Sequence, residues 1–219
     1  MQTLCKCKID ISVIVPVYNL ELWITPLLAS LKKQDLGPYT AEYIFVLNNC
    51  KDESEQVIRE VGEELNPIIL TCEHQGCGNA RNAGFEIAKG DYVWFMDGDD
   101  WLTKDTAIKD ALDKAYGKAY DIIRVPFDSN GFDYNYFSMV WQYVMRRNFI
   151  KEFRFSHIQP CEDDEYMLKV LHKAGYSPAT YLKMPHLLNI YYFYNYLREG
   201  SNMYRVRILG EDINGQPII

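Results

Sequence analysis

No excess of positive charge marks this chain: 23 Lys and Arg stand against 30 Asp and Glu, a net charge of −7. A general nucleic-acid binder needs a basic face to displace counterions from phosphates, so that class of partner is excluded. Any CxxC pair is missing as well. The six cysteines, at 5, 7, 50, 72, 77 and 161, form no compact disulfide framework, which suits a reducing cytoplasm. Cys5 and Cys7 have no second pair of ligands with which to hold a soft metal. The N-terminus lacks the continuous apolar core of a signal peptide, and no run approaches the ~20 apolar residues that span a bilayer. A cytoplasmic protein without a transmembrane segment is expected, one that reaches any lipid-linked substrate from the water side as a peripheral contact. Internal repeats and low-complexity segments are absent, and nothing sets the oligomeric state. With 48% hydrophobic and 24% charged residues in 219, one globular domain with a full core is the expectation.

What the chain does carry is an alternation of strands and helices. Ile11 to Val17 is nearly all apolar and β-branched, as in a strand buried on both faces. Leu20 to Lys33 has helical spacing and a Gly37-Pro38 stop. Glu42 to Leu47, Ile68 to Thr71 and Asp91 to Met96 read as strands, Ser54 to Leu65 and Asn79 to Ala88 as helices, and Asp121 to Val125 as a further strand. Such βαβ units predict an α/β fold with a mixed, mostly parallel sheet flanked by helices. Ligands gather at the carboxyl ends of such strands, where Tyr18-Asn19, Asn48-Asn49 and Asp97-Gly98-Asp99-Asp100 all fall.

The acidic run Asp97 to Asp100 directly follows the apolar segment Tyr92 to Met96. A buried strand ending in carboxylates delivers fixed negative charge to the sheet edge, where an oxygen-seeking cation and its phosphate ligands can be held. Acidic turns are also common for local reasons, since Asp bonds its own backbone and Gly accepts positive φ. A second run, Glu162-Asp163-Asp164-Glu165, opens a helical pattern that ends near Gly175. Capping explains some of these charges, yet four in a row exceed what capping requires, and like charges raise one another's pKa toward that of a base. Between the runs, Asp128 to Phe155 is rich in aromatics, most of them expected in the core, with Trp141 and Tyr143 open as sugar-stacking surfaces. Leu187 to Tyr196 reads as a strand and Gly200 to Asn202 as a loop.

Pro16-Val17-Tyr18-Asn19, the run Gly76-Cys77-Gly78-Asn79-Ala80-Arg81-Asn82-Ala83-Gly84, the segment Ala88 to Leu102 and Glu162-Asp163 together resemble family 2 glycosyltransferases of the GT-A fold, over roughly residues 9 to 200. The resemblance implies an inverting transferase that moves a hexosyl or N-acetylhexosaminyl group from a nucleotide-sugar to a glycan or lipid-linked glycan. It implies one domain over 1–219, with a nucleotide-binding half at about 9–102, an acceptor-binding half at about 103–200 and a tail at 201–219. Pro16, Tyr18, Asn19 and Asn48 would line the nucleobase pocket, with Arg81 and Gly98 on the nucleotide side. Asp97 would contact the ribose or share the metal, and Asp99 would ligate Mg²⁺ or Mn²⁺, with His172 or His186 as a third ligand. Asp163 would be the general base, Glu162 would position it or bind acceptor, and Asp164 is its rival. Trp141 and Asp164 are the acceptor-side candidates.

One departure stands out. Where family members commonly carry an Asp pair after the second strand, this chain has Leu47 and Asn48. An Asn oxygen still accepts from a uracil imide, but its amide also donates, so UDP is favoured with GDP open. A catalytically silent nucleotide-sugar or glycan binder is therefore an alternative. A nucleotidyltransferase is a weaker one, because it would need a Gly-rich, basic loop where Tyr18-Asn19-Leu20-Glu21 stands; an aspartyl phosphatase lacks its lysine motif. The short chain after Glu162-Asp163 leads to the expectation of single additions rather than polymerisation.

Overall fold

All seven residues of the first strand, Ile11–Val17, are buried, because strands hydrogen-bond to both of its edges and helices cover both of its faces. In chain order the elements are β1 (Ile11–Val17), α1 (Thr25–Lys32), β2 (Ala41–Leu47), α2 (Ser54–Val61), β3 (Ile68–Thr71), α3 (Cys77–Ile87), β4 (Tyr92–Phe95), β5 (Trp101–Leu102), α4 (Ala107–Gly117), β6 (Ile122–Arg124), β7 (Phe127–Ser129), β8 (Tyr143–Arg146), α5 (Arg147–Ile150), α6 (Glu162–Lys173) and β9 (Tyr192–Tyr194). The computed structural model describes residues 8–129, 139–156, 162–177, 180, 183–187 and 192–194. The expected tail at 201–219, the loop at Gly200 to Asn202 and Cys5, Cys7 and Cys161 lie outside the described residues. So do Phe132, Tyr134, Tyr136 and Phe137 and much of the strand expected at Leu187 to Tyr196.

The main sheet has the order β3-β2-β1-β4-β8-β6. Strands β3, β2, β1 and β4 are parallel, and β8 runs antiparallel to β4 and β6. The α/β expectation of a mixed, mostly parallel sheet flanked by helices therefore holds. Side chains alternate across it with the period of two that a strand imposes. Val13, Val15, Phe45 and Trp94 point into one core with Leu27, Ile58 and Leu112 from α1, α2 and α4. Ile14, Ile44, Val46, Val93 and Phe95 point into the other with Phe85 of α3 and Met167 and Val170 of α6. A small second sheet, β5-β9-β7, adjoins the acidic turn after β4.

Three elements differ from the sequence reading. The first helix starts at Thr25, with Pro at its N-terminal turn, a position that tolerates the missing N–H. Residues 20–24 instead form a turn in which Trp23 and Ile24 donate to Leu20 O. Helix α4 occupies a stretch that the sequence reading leaves unassigned. Tyr143 to Arg146, within the aromatic region, is itself a strand of the sheet, wedged between β4 and β6.

Candidate active site

Because β1, β2 and β4 are parallel and in register, the loops after them emerge at one sheet edge, and hydrogen bonds tie them together. Asn19, with φ of 51°, accepts the Lys51 N–H on its Oδ1 at 2.8 Å. Leu20 N–H donates to Ser54 Oγ at 2.7 Å. Left-handed backbone is tolerated by Asn better than by most residues, which explains Asn at this sharp exit. Tyr18, beside it, is 52% exposed, whereas Pro16 is buried within β1. Gly98 brings the third loop in: a Cβ there would lie 2.4 Å from Leu20 Cδ1 and would force that side chain to move.

Arg81 joins this edge to the second acidic run. It projects from α3, whose Gly84 sits so close to β1 that a Cβ would meet Ile14 Cγ2 at 2.5 Å. The arginine is buried, 3% exposed. Its Nη1 donates to Asp163 Oδ1 at 2.6 Å and to Glu162 Oε1 at 3.3 Å, and its Nη2 donates to Asp97 Oδ1 at 2.8 Å. A planar fork of donors suits such multiple carboxylate contacts, as a lysine would not. The guanidinium also lies over the Phe155 ring, 5.3 Å from its centroid. Asn82, the next residue, holds that ring in place by exchanging two hydrogen bonds with the Phe155 backbone, each 2.9 Å. Thus the exposed surface arginine that a helix position would suggest is ruled out, and Ala-Arg-Asn reads as core contact, acid clamp and backbone tie.

Asp163 is the carboxylate most altered by this setting. Burial pushes it up to about 7, Arg81 opposes that shift, and the nearby charges of Glu162 and Asp97 add to it. Its Oδ2 accepts the Val140 N–H at 3.4 Å. A half-buried carboxylate pushed toward neutrality suits proton transfer. Asp164 on the same helical turn is half-buried and makes no contact with Arg81.

The acidic turn buries one of its carboxylates and leaves the other two half-buried. Asp100 is fully buried and accepts the Tyr192 hydroxyl proton on Oδ2 at 2.6 Å. The same hydroxyl oxygen accepts the Asp97 N–H at 3.2 Å. Asp97 and Asp99 are half-buried. Among the described residues no group of three or more His, Cys, Asp and Glu converges as a metal cage. A pair of hard oxygen donors nevertheless fits Mg²⁺ or Mn²⁺, which are commonly held by one or two carboxylates with substrate phosphates completing the shell. Neither histidine joins them in such a group: His172 is exposed on the last turn of α6, and His186 Nδ1 lies 3.1 Å from Met184 O.

Two expected site residues need correction. Asn48 is 4% exposed, and both ends of its amide are bound by backbone. Its Oδ1 accepts the Gly76 N–H at 2.8 Å while Nδ2 donates to His74 O at 2.7 Å and Cys72 O at 3.3 Å. Its place is therefore to tie the loop before α3 to β2, not to face a nucleobase. Trp141 is 1% exposed, stacked on Tyr192 at 4.7 Å and edge-on to Phe127 at 4.8 Å; with both neighbours in place it offers no face to an acceptor sugar. Tyr143 is likewise fully buried. Tyr192, Asn82 and Phe155 are site-forming residues that sequence reasoning missed. Tyr192 is one of four tyrosines in Leu187 to Tyr196, and nothing in that run marks it out.

The family model described as glycosyl transferase family 2 matches residues 12–177. Poly(ribitol-phosphate) beta-N-acetylglucosaminyltransferase TarS of Staphylococcus aureus is 41% identical over 103 residues, which are 46% of this chain and 18% of TarS. Minor teichoic acid biosynthesis protein GgaB of Bacillus subtilis is 34% identical over 99 residues, 44% of this chain and 11% of GgaB. Among solved structures, an S. aureus TarS fragment in complex with UDP-GlcNAc superposes with a TM-score of 0.76 at 25% identity, covering 90% of this chain and 61% of that one. The mannosyltransferase PcManGT from Pyrobaculum calidifontis, in complex with GDP-Man and Mn²⁺, shares the fold with a TM-score of 0.70 at 15% identity, covering 92% and 61%. The chain thus spans less than two thirds of each of these relatives.

Proposed function

Because this chain belongs to glycosyl transferase family 2, we propose that it moves a sugar from a nucleotide diphosphate-sugar to an acceptor hydroxyl with inversion, using Asp163 as general base. The observation that supports this reading is Arg81, which holds Asp163 and Asp97 on one guanidinium and so brings together the two carboxylates that the reading requires. The donor occupies the 9–102 half, with Tyr18 and Asn19 beside the nucleobase and Asp97 by the ribose and diphosphate. The acceptor enters from the 103–200 half. Asp163 takes the proton of the acceptor hydroxyl as its oxygen attacks the anomeric carbon from the face opposite the diphosphate. Glu162, on the same arginine, keeps Asp163 oriented. Asp99 and Asp97 would hold Mg²⁺ or Mn²⁺, which when bound offsets the charge on the departing diphosphate.

A UDP-sugar is the first choice of donor, in keeping with the UDP-GlcNAc complex of the TarS fragment; the GDP-Man complex of PcManGT keeps GDP in play. Relatives named for poly(ribitol-phosphate) and teichoic acid point to a polyhydroxylated surface polymer or glycan as acceptor. No helix among the described residues is long and apolar enough to cross a membrane. Release of nucleoside diphosphate from UDP-, GDP- and dTDP-sugars, with and without EDTA, tests the reading. Metal-dependent release with one donor supports it, and failure to bind or cleave any donor removes it. The Leu47-Asn48 sequence where family members commonly carry an Asp pair favours one competing outcome: binding of a donor without release, the mark of a catalytically silent relative.

A further inference from the structure

The tyrosine that arrives at the acidic turn from β9 does more than fill the core. Its ring is fully buried and stacked on Trp141, 4.7 Å between centroids and 6° from parallel. Trp141 is in turn anchored to β4, since the Trp94 indole N–H donates to Trp141 O at 2.7 Å. The hydroxyl is thereby held at one point. It spends its single proton on Asp100 Oδ2 at 2.6 Å and one lone pair on the Asp97 N–H at 3.2 Å. These are the first and fourth residues of the turn, whose own closing bond, Asp100 N–H to Asp97 O, is long at 3.3 Å. A short Asp-Gly-Asp-Asp loop has many accessible backbone states, and this one is pinned from outside by a side chain 92 to 95 residues away.

We infer that Tyr192 is a positioning residue for the cation and diphosphate site: by drawing Asp100 inward and holding the Asp97 amide, its hydroxyl fixes both ends of the acidic turn that carries Asp97 and Asp99. This rests on the reading of that turn as the diphosphate end of a donor site. It also means that the donor half is completed by a strand from the other end of the fold. Tyr192 touches no reacting atom, and its effect is on how well the site is formed before ligand arrives, the kind of preorganisation that shows in affinity.

Calorimetric titration with UDP, and in parallel GDP, in the presence of Mn²⁺ tests this without requiring turnover. Tyr192→Phe keeps the stacked ring and removes only the hydroxyl; it is expected to weaken Mn²⁺-dependent nucleotide binding by about ten-fold, ~1.4 kcal/mol. Asp100→Ala severs the same bond from the other end and carries the same expectation, which also covers the case in which Tyr192→Phe fails to fold. The double variant should lose no more than the larger single one, because the Asp100 bond is one of the two that Tyr192→Phe already removes. Leu112→Ala, in the buried face of α4, serves as a control for lost stability alone and should leave affinity unchanged. Wild-type affinity in Tyr192→Phe, additive losses in the double variant, or an equal loss in Leu112→Ala would each overturn the inference. If the unaltered chain binds neither nucleotide, the donor-site reading beneath it falls as well.

Discussion

Arg81 brings one positive charge to three carboxylates, those of Asp97, Glu162 and Asp163, so the cluster is negative overall and one acid is held near its protonation point. Burial, stronger than the arginine's pull, sets Asp163 at about 7. A base must be unprotonated, so transfer should rise with pH through about 7, and an initial-rate profile with a limb there is the expected result. Asp163→Asn should lower transfer by roughly 10²–10⁴-fold, the usual worth of a general base, and leave donor affinity nearly intact; full activity would move the role to Asp164. The sign for stability is opposite to that of an ordinary ion-paired acid. A carboxyl raised in the folded state favours folding when protonated, and that contribution is lost as pH climbs through its folded value. The melting temperature of Asp163→Asn should therefore gain on wild type between about pH 4 and about pH 7 and level off above that. Removing the arginine leaves charges without a counterion: Arg81→Ala is expected to cost ~3–5 kcal/mol, read from a urea midpoint.

At the scale of elements, the site depends on how closely α3 approaches the sheet. Gly84 has room for hydrogen only, with Ile14 Cγ2 at 2.5 Å and Val46 Cγ2 at 3.1 Å from a Cβ added there. Gly84→Ala improves helix propensity by up to ~1 kcal/mol, yet it overpacks against stiff, β-branched neighbours at ~1–3 kcal/mol. Net destabilisation is expected in thermal unfolding. Transfer should also fall more than the stability loss explains, because Arg81 lies one turn away on the displaced helix. Helix α6 divides its acidic opening between two sides: Glu162 and Asp163 turn toward Arg81, while Glu165 pairs with Lys169 at 2.5 Å on the outer face. That split follows from the helical period, and the apolar pattern at Tyr166, Met167, Val170 and Leu171 announces it. The position of β8 had no such announcement, since four residues that run straight into the short helix α5 carry too little periodicity to mark a strand.

For the molecule as a whole, the two packed faces of the sheet and the small β5-β9-β7 sheet are what bring distant segments to one edge. Trp141 belongs to that framework. Trp141→Ala should cost ~3–5 kcal/mol in denaturant unfolding, and any loss of activity should track the folded fraction instead of the acceptor KM. A selective rise in acceptor KM at unchanged stability would restore it as a sugar-stacking surface. The order of strands and helices, the sheet edge at which polar loops gather and the carboxylates worth watching were legible in the sequence alone, because apolar runs, helical periods and charged residues straight after strands are local signals. Which acids meet was not. That Asp97 and Asp163 share one buried arginine, that Asp100 turns inward to Tyr192, and that Asn48 and Trp141 are committed to the protein's own interior are decided by contacts between residues 16 to 95 positions apart. Such contacts arise only when parallel strands, the helices packed on them and a returning strand are assembled, since hydrogen bonds and burial depend on proximity in space and leave no periodic trace along the chain.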